Sequence, residues 1–285
     1  MALRSQPLIR DIADKRPVQQ AMPGSSVVFQ IYQDLAQATS TLTENVDPDA
    51  VALSNTNTVT VTLNEYGNAA LLTRKLGLFS LSDVDPAAAD ILAYNMADSL
   101  DAVAMTTLRG GSNVIYASTA SSTATVTNAM TITTANLRKA VAKLRAGLAV
   151  PRMGSLYACY IHPEVSHDVR AETGSGGFQD LHKYDASDNF WPGFIGTYEG
   201  AYFIETPRMY NATDGASSAR VFRTVLAGKQ ALAEAVAEDP HTVIGPVTDK
   251  LMRARPIGWY GVLGWARFRE AALYRIESTS SINNA

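Results

Sequence analysis

From Asp85 to Gly111 the chain reads as one uninterrupted helix, and no other stretch limits the possible folds as strongly. Asp85 is a good N-cap, and Pro86 suits the first helical position, where its missing N–H costs nothing. Leu92, Met96, Leu100, Val103 and Thr107 recur at spacings of three and four and form one stripe. Asp90, Asn95, Asp98, Ser99 and Asp101 are spread among small residues around the rest of the helix. Arg109 favours the last turn and Gly110-Gly111 can end it. A helix over residues 86–109 is roughly 36 Å long. A rod of that length is a spine along which other parts must pack.

Upstream, Val27-Val28-Phe29-Gln30-Ile31-Tyr32 is a strand by its β-branched and aromatic content. Thr58-Val59-Thr60-Val61-Thr62-Leu63 alternates cleanly, which puts Val59, Val61 and Leu63 on one face. About 25 polar residues, from Gln33 to Thr56, separate the two strands. This is a long hairpin, and an isolated two-stranded hairpin is marginal in water. Such a loop needs something outside itself to hold it. Residues 1–25 are punctuated by Pro7, Pro17, Pro23 and Gly24 and wetted by Asp11, Asp14, Lys15 and Arg16. They read as an arm without a core of its own. Ordering a residue costs on the order of 1–2 kcal/mol, and neither stretch has an apolar stripe to offset it. Both are expected to bury little within their own subunit.

Downstream come a strand at Asn113–Tyr116 and a Ser/Thr/Ala stretch, 117–129, expected as surface loop or edge strand. Thr134 is expected to cap a second helix with Leu137, Val141, Leu144 and Leu148 as its buried stripe. Arg138, Lys139, Lys143 and Arg145 lie on its wet side, and Pro151 stops it. Short strands are expected at Tyr202–Ile204 and Val221–Leu226, a flexible break at Gly174-Ser175-Gly176-Gly177, and a short helix over Gln230–Glu238. The tail is strand-rich, at Thr242–Ile244, Trp259–Trp265 and Ala271–Ile276.

Composition narrows the function classes. Charged residues make up 18% of the 285, below the roughly 25% of ordinary soluble domains, as in a subunit that buries much of its surface. The net charge is −3 and no basic run of five occurs, so the footprint of a sequence-reading DNA binder is missing. The single cysteine, Cys159, sits in the apolar run Leu156–Ile161 and excludes both a disulfide framework and a Cys-rich zinc site. No apolar stretch has the length of a membrane span, and no apolar core follows Arg4 as in a signal peptide. A soluble protein made in a cytoplasm is expected, with no membrane partner.

The most enzyme-like cluster is His162-Pro163-Glu164-Val165-Ser166-His167-Asp168. Two histidines and two carboxylates could hold a metal, as in a hydrolase. Five positions apart on a helix, however, the two rings diverge by about 140°, unlike a zinc helix. Pro163 after His162 reads instead as a strand ending and a helix starting, with Glu164 or Asp168 serving the helix N-terminus. No Gly-x-Ser-x-Gly elbow occurs, and Ala227-Gly228-Lys229 matches no phosphate-binding pattern. Trp259, Tyr260, Trp265, Phe268 and Tyr274 could form a glycan platform, though packing in a core or interface is the simpler use. The expectation is therefore no catalytic, cofactor-binding or metal residue.

An arm, a long polar hairpin, a spine helix, a mixed central region and a strand-rich return, in that order, resemble the Hong Kong 97-type capsid subunit, an α+β fold. Particular segments are similar to the N-four-type major capsid family of tailed phages. They are Leu42-Thr43-Glu44-Asn45-Val46-Asp47-Pro48, Asn64-Glu65-Tyr66-Gly67, Arg109–Tyr116, Ile161-His162-Pro163 and Gly196–Pro207. The resemblance covers roughly residues 26–278. It implies an arm at 1–25, an extended hairpin loop at 26–70, a peripheral domain of 71–124 and 240–285 carrying the spine helix, and an axial domain at 125–239. It implies many copies of the chain in hexamers and pentamers, enclosing double-stranded DNA without reading it, in a virion assembled in a host cytoplasm. A separate scaffolding protein and a portal are implied partners, with a decoration protein as a further one. No Lys/Asn pair supports autocatalytic cross-linking. The rival readings are another β-rich virion or surface protein, such as a decoration or glycan-binding protein, and a metal-dependent hydrolase.

Overall fold

The computed structural model describes residues 9–17, 24, 26–32, 35–47, 50, 57–79, 84–172, 194–247, 249–251 and 253–282. A 3-10 turn at Ile9–Ile12 leads into β1 (Ala13–Pro17), followed by β2 (Ser26–Ile31), β3 (Asn57–Thr62) and β4 (Asn64–Thr73). Helices α1 (Arg74–Phe79) and α2 (Val84–Leu108) precede β5 (Val114–Tyr116), α3 (Thr134–Ala146), β6 (Tyr157–Ile161) and α4 (Pro163–Ala171). The rest is strand: β7 (Phe194–Tyr198), β8 (Ala201–Glu205), β9 (Asn211–Ala212), β10 (Val221–Ala227), β11 (Leu232–Ile244), β12 (Ala254–Arg267) and β13 (Leu273–Ser278).

Two main sheets organise the chain. A long four-stranded sheet has the order β1-β11-β12-β4, and a seven-stranded sheet has the order β5-β13-β10-β6-β8-β7 with β9 beside β10. β2 and β3 form a separate antiparallel ribbon, from Ser26↔Thr62 to Ile31↔Asn57. The strand-rich tail is divided between the sheets. β11 and β12 lie in the long sheet, where α2 packs, while β13 pairs with β10 and β5 in the other.

The spine helix runs as expected, but its buried face is wider than the stripe. Leu92, Leu100, Ala104, Met105 and Leu108 are buried, with Met96 and Val103 partly so. Asp101 is buried too, because its carboxylate accepts the Arg10 N–H at 2.8 Å. Gly110 and Gly111 end the helix through close approach. A Cβ on Gly110 would meet Arg267 Nη1 at 2.6 Å, and one on Gly111 would meet Glu270 Oε1 at 2.9 Å. Those side chains close the end of the spine. Arg267 Nη1 donates to the Thr107 carbonyl at 3.1 Å, and Glu270 accepts the Ser112 N–H at 2.5 Å.

The long sheet uses its two faces differently. On β11, Leu232 and Val236 face the spine-helix core, while Ala233 and Ala235 face the β2–β3 ribbon. On β12, Trp259, Leu263 and Trp265 belong to the helix side and Ala266 to the ribbon side. The ribbon side is floored by small residues because the ribbon lies close. A Cβ on Gly264 would stand 2.2 Å from the Thr62 carbonyl oxygen. Phe29 and Val61 seal this contact, with Phe268 edge-on to Phe29 at 6.1 Å.

Three sequence expectations need correction. Residues 9–17 are not an arm without a core. Ile9 and Ile12 are 1% and 0% exposed in the main core, and β1 pairs in parallel with β11 from Ala13↔Leu232 to Pro17↔Val236. Arg10 Nε donates to the buried Glu234 at 2.8 Å, an ion pair that a search for apolar stripes does not see. Gln230–Glu238 is not a helix. From Leu232 it is β11, held between β1 and β12, so two-sided strand pairing overrides the helix preference of its alanines. Leu148 is not in the α3 stripe, because α3 ends at Ala146 and Leu148 turns out at φ 53°, 87% exposed. Ala140 joins Leu137, Val141 and Leu144 instead. The 174–177 break lies outside the described residues.

Candidate assembly surfaces

The His162 cluster is a helix start. His162 occupies the N-cap of α4, and its Nδ1 accepts the Glu164 N–H at 3.3 Å, so the capping carboxylate expected there is replaced by the imidazole. The ring packs 4.8 Å from Phe222, and burial, with the nearby Arg220 charge, lowers its pKa to about 4. His167 points the other way, on the exposed side of the helix. Glu164 stays with its helix turn, and its carbonyl accepts the Ser280 hydroxyl at 2.9 Å. Asp168 holds the C-terminal segment, accepting the Ser281 N–H at 2.9 Å. Among the described residues no three His, Cys, Asp or Glu side chains come together as a metal group. Cys159 is fully buried, and burial pushes its thiol pKa up. Gly228 of the Ala227-Gly228-Lys229 segment abuts the Val150 carbonyl, 2.8 Å from where a Cβ would sit.

The five tail aromatics do not share a platform. Trp259 is 4% exposed and donates from Nε1 to Asn95 at 3.0 Å, while Trp265 packs 5.8 Å from Tyr66. Tyr260 sits on the opposite face of β12 from Trp259 and meets His241 edge-on at 6.4 Å. Phe268 seals the ribbon, and Tyr274 packs on the core under α3.

The seven-stranded sheet is the more enclosed of the two, with one face under α3 and α4 and the other in the core it shares with α2 and the long sheet. β6 and β10 are buried at every position. Glu277, fully buried, pairs with Arg223 Nε at 3.2 Å and Arg275 Nε at 2.9 Å and accepts the Thr123 hydroxyl at 2.6 Å. The long sheet and the hairpin are the reverse. Every described residue from 35 to 47 is exposed, including Leu42 at 80% and Val46 at 64%. β4 is the edge strand of its sheet, and only Tyr66 and Leu72 of its ten residues are partly buried. Strand β4 was not expected. It is wet on both faces, so it shows no alternation, and its only signal is the small, uncharged run Asn68-Ala69-Ala70 leading to Leu71-Leu72. At the far end of the sheet, Leu76, Leu78, Phe79, Ile244 and Leu251 are also exposed. A chain that leaves a loop backbone and these apolar side chains open has surface suited to meeting further chains.

The family model for phage capsid protein matches residues 2–282. The chain belongs to the phage capsid protein family. Its fold is the Hong Kong 97 type, and it is a structural head subunit of a bacteriophage virion. The capsid of Ralstonia phage GP4 superposes at a TM-score of 0.80 with 15% identity, over 96% of this chain and 88% of that one. The head structure of Helicobacter pylori bacteriophage KHP40 gives 0.73 at 15% identity, over 98% and 92%. Mycobacterium phage Che8 gives 0.67 at 14% identity, over 97% and 93%. No curated protein matches the chain by sequence. The rival readings, a decoration or glycan-binding protein and a hydrolase, lose their ground with the dispersed aromatics and the capping role of His162.

Proposed function

We propose that many copies of this capsid subunit associate as hexamers and pentamers that tile an icosahedral head around double-stranded DNA. The observation that carries this is the hairpin. Its root is clamped on the small-residue face of the long sheet, while residues 35–47 extend away fully exposed. A segment with that much open backbone becomes ordered by contact with a neighbour. In this reading the spine helix and the long sheet, β1-β11-β12-β4, form the peripheral domain. The seven-stranded sheet with α3 and α4 forms the axial domain near the capsomer centre. The fold itself holds DNA by enclosure and catalyses nothing. A separate scaffolding protein, a portal and, on the outer surface, a decoration protein complete the partner set, and assembly takes place in the host cytoplasm.

The test is assembly. The chain is produced together with the head proteins encoded beside it, and the particles are viewed by negative-stain microscopy. Closed shells are expected from the intact chain. A variant lacking residues 36–46 is expected to keep a folded subunit by circular dichroism and to form no shells. Discrete small oligomers from the intact chain, with no shell under any combination of partners, overturn the proposal.

A further inference from the structure

Resting on the shell proposed above, we infer that the exposed face of α3 and the turn after it seat a decoration protein, one that is acidic where it meets the helix and offers an apolar pocket to Leu148.

α3 carries Arg138, Lys139, Lys143 and Arg145 and no acid, in a chain with 27 acidic and 24 basic residues. Arginines elsewhere on the surface are paired, Arg152 with Asp14, Arg253 with Asp249 and Arg267 with Glu270. Arg138 is paired as well, with Glu199 at 3.3 Å. Lys139, Lys143 and Arg145 are exposed and have no ion pair among the described residues. The stripe around the two lysines is alanine, at Ala135, Ala142 and Ala146, all exposed. A helix face that meets only water is usually polar throughout. This one mixes unpaired positive charge with side chains small enough to let another chain come close.

The turn after α3 adds an apolar knob. Gly147 caps the helix at φ −79°, and the next position, where helices favour a left-handed glycine, is Leu148 at φ 53°. That conformation crowds the Cβ of a leucine against the following carbonyl. The side chain is 87% exposed, so no core contact offsets the strain. The backbone holds it there: Leu148 N–H donates to the Arg145 carbonyl and Ala149 N–H to the Leu144 carbonyl, each at 3.0 Å. Val150 and Met153 are exposed beyond it. Val150 is pinned by the Lys229 N–H on its carbonyl at 2.8 Å. Met153 is pinned by exchange of backbone bonds with Leu156 at 3.1 and 2.8 Å. Strain kept in an exposed residue on a fixed turn has no use inside the subunit, and points to a contact outside it.

The chemistry selects the occupant. An apolar centre with a charged rim is the anatomy of a protein contact. Nucleic-acid phosphates would engage the cations and leave Leu148 uncovered. The unpaired cations call for carboxylates on the partner. The surface is complete in the single subunit, on the face of the seven-stranded sheet opposite α2, and includes no segment that assembly has to order. Every copy in a finished head therefore presents it, which suits a protein that binds the completed shell many times over.

The test uses heads produced with the proteins encoded beside this chain. A carbodiimide joins lysine amines to carboxylates in direct contact, and mass spectrometry reads the joined peptides. Lys139 or Lys143 is expected to be joined to an aspartate or glutamate of a second protein that remains on finished heads. The exposed Lys250 is expected to give no such link. Two variants, Leu148→Gly and the double variant Lys139→Glu with Lys143→Glu, are each expected to lower the amount of that protein per shell by about tenfold, with shell yield unchanged. Leu148→Gly should unfold at the same or a higher temperature than the parent, which separates lost docking from lost folding. Links only to carboxylates of this chain would make the face a contact between copies. Links only to a protein that leaves before the head is finished would make it a scaffolding contact. Shielding of both lysines from acetylation only while DNA fills the head would make it a DNA contact. Equal acetylation with and without the other head proteins would make it a solvated face. Each of these four results overturns the inference and leaves the shell standing. Absence of shells from the intact chain removes the shell reading and the inference together.

Discussion

The seven-stranded sheet and the long four-stranded sheet differ in how fully their strands are covered. β10 is buried at all seven positions, while β4 has no fully buried position and the outer half of β11 is nearly all exposed. β10 is mostly apolar, while β4 opens with Asn64-Glu65-Tyr66-Gly67-Asn68, and the two also differ in enclosure. β10 has strands on both sides and helices α3 and α4 over its face, whereas among the described residues β4 has one neighbour. The two sheets share the core under α2, and it is the β4 edge and the hairpin that have contacts still to make.

The contrast can be broken most sharply by truncation in each half. Phe222 is 0% exposed near the start of β10, and Phe222→Ala removes its contacts and leaves a cavity, at a cost of about 3–5 kcal/mol. Leu71→Ala on β4 should change monomer stability by no more than about 0.5 kcal/mol. Urea denaturation of the two purified variants checks this. A comparable loss from both would mean that β4 is already part of a closed core.

Glu277 sharpens the same point through charge. Glu277→Ala would leave Arg223 and Arg275 inside the sheet without their shared carboxylate. Breaking a buried pair in this way costs about 3–5 kcal/mol. The exposed pair of Arg253 and Asp249, 2.5 Å apart on the long sheet's loop, is the control. Asp249→Asn should leave the unfolding midpoint nearly unchanged. Thermal unfolding of both variants at one salt concentration is the measurement. A small effect at Glu277 would mean that water reaches the arginines.

The sequence made the long helix, the ribbon strands and most tail strands legible, because each carries its own period. Leu92 to Thr107 has a helical repeat, and Thr58 to Leu63 has a strict alternation. It did not disclose elements whose state is decided by a distant partner. β11 is strand because β1 and β12 flank it, although Leu232-Ala233-Glu234-Ala235 alone favours helix. Ile9 and Ile12 belong to the core because Arg10 meets Asp101 and Glu234, 91 and 224 residues away in sequence. β4 is exposed on both faces and so has no pattern to read. The His162 cluster was legible as a cap, but the capping atom was assigned to a carboxylate when the imidazole performs it.

His162 gives a smaller effect with a definite sign. Its pKa is lowered from 6.5 to about 4 by burial and by Arg220. The unfolded chain therefore binds more protons than the folded one between those values, and stability falls as pH drops from about 6.5 to about 4. Near neutrality both states are deprotonated and the group contributes no slope. Arg220 is the charged group that adds to the effect of burial. Asparagine is a good N-cap. His162→Asn should therefore leave stability at pH 7 nearly unchanged and flatten the decline between pH 6.5 and 4. An unchanged decline would assign the acid sensitivity to carboxylates elsewhere.

The smallest effect on the free subunit should belong to the hairpin, and it separates the two halves most cleanly. Residues 35–47 are exposed and, among the described residues, make one backbone hydrogen bond, so in the unassembled subunit their amides should exchange at nearly the intrinsic rate. In shells the same amides should be protected, because their partners are then supplied by a neighbour. Residues 9–17 were expected from sequence to behave in the same way, but their place beside β11 requires protection in both states. Hydrogen exchange read by mass spectrometry on peptides covering 9–17 and 35–47, before and after assembly, decides between these behaviours. The expected result is a large change in the second peptide and little in the first. Protection of 35–47 in the free subunit would mean that the hairpin is ordered by its own chain. The open half of the molecule would then have fewer contacts to make than its exposure implies.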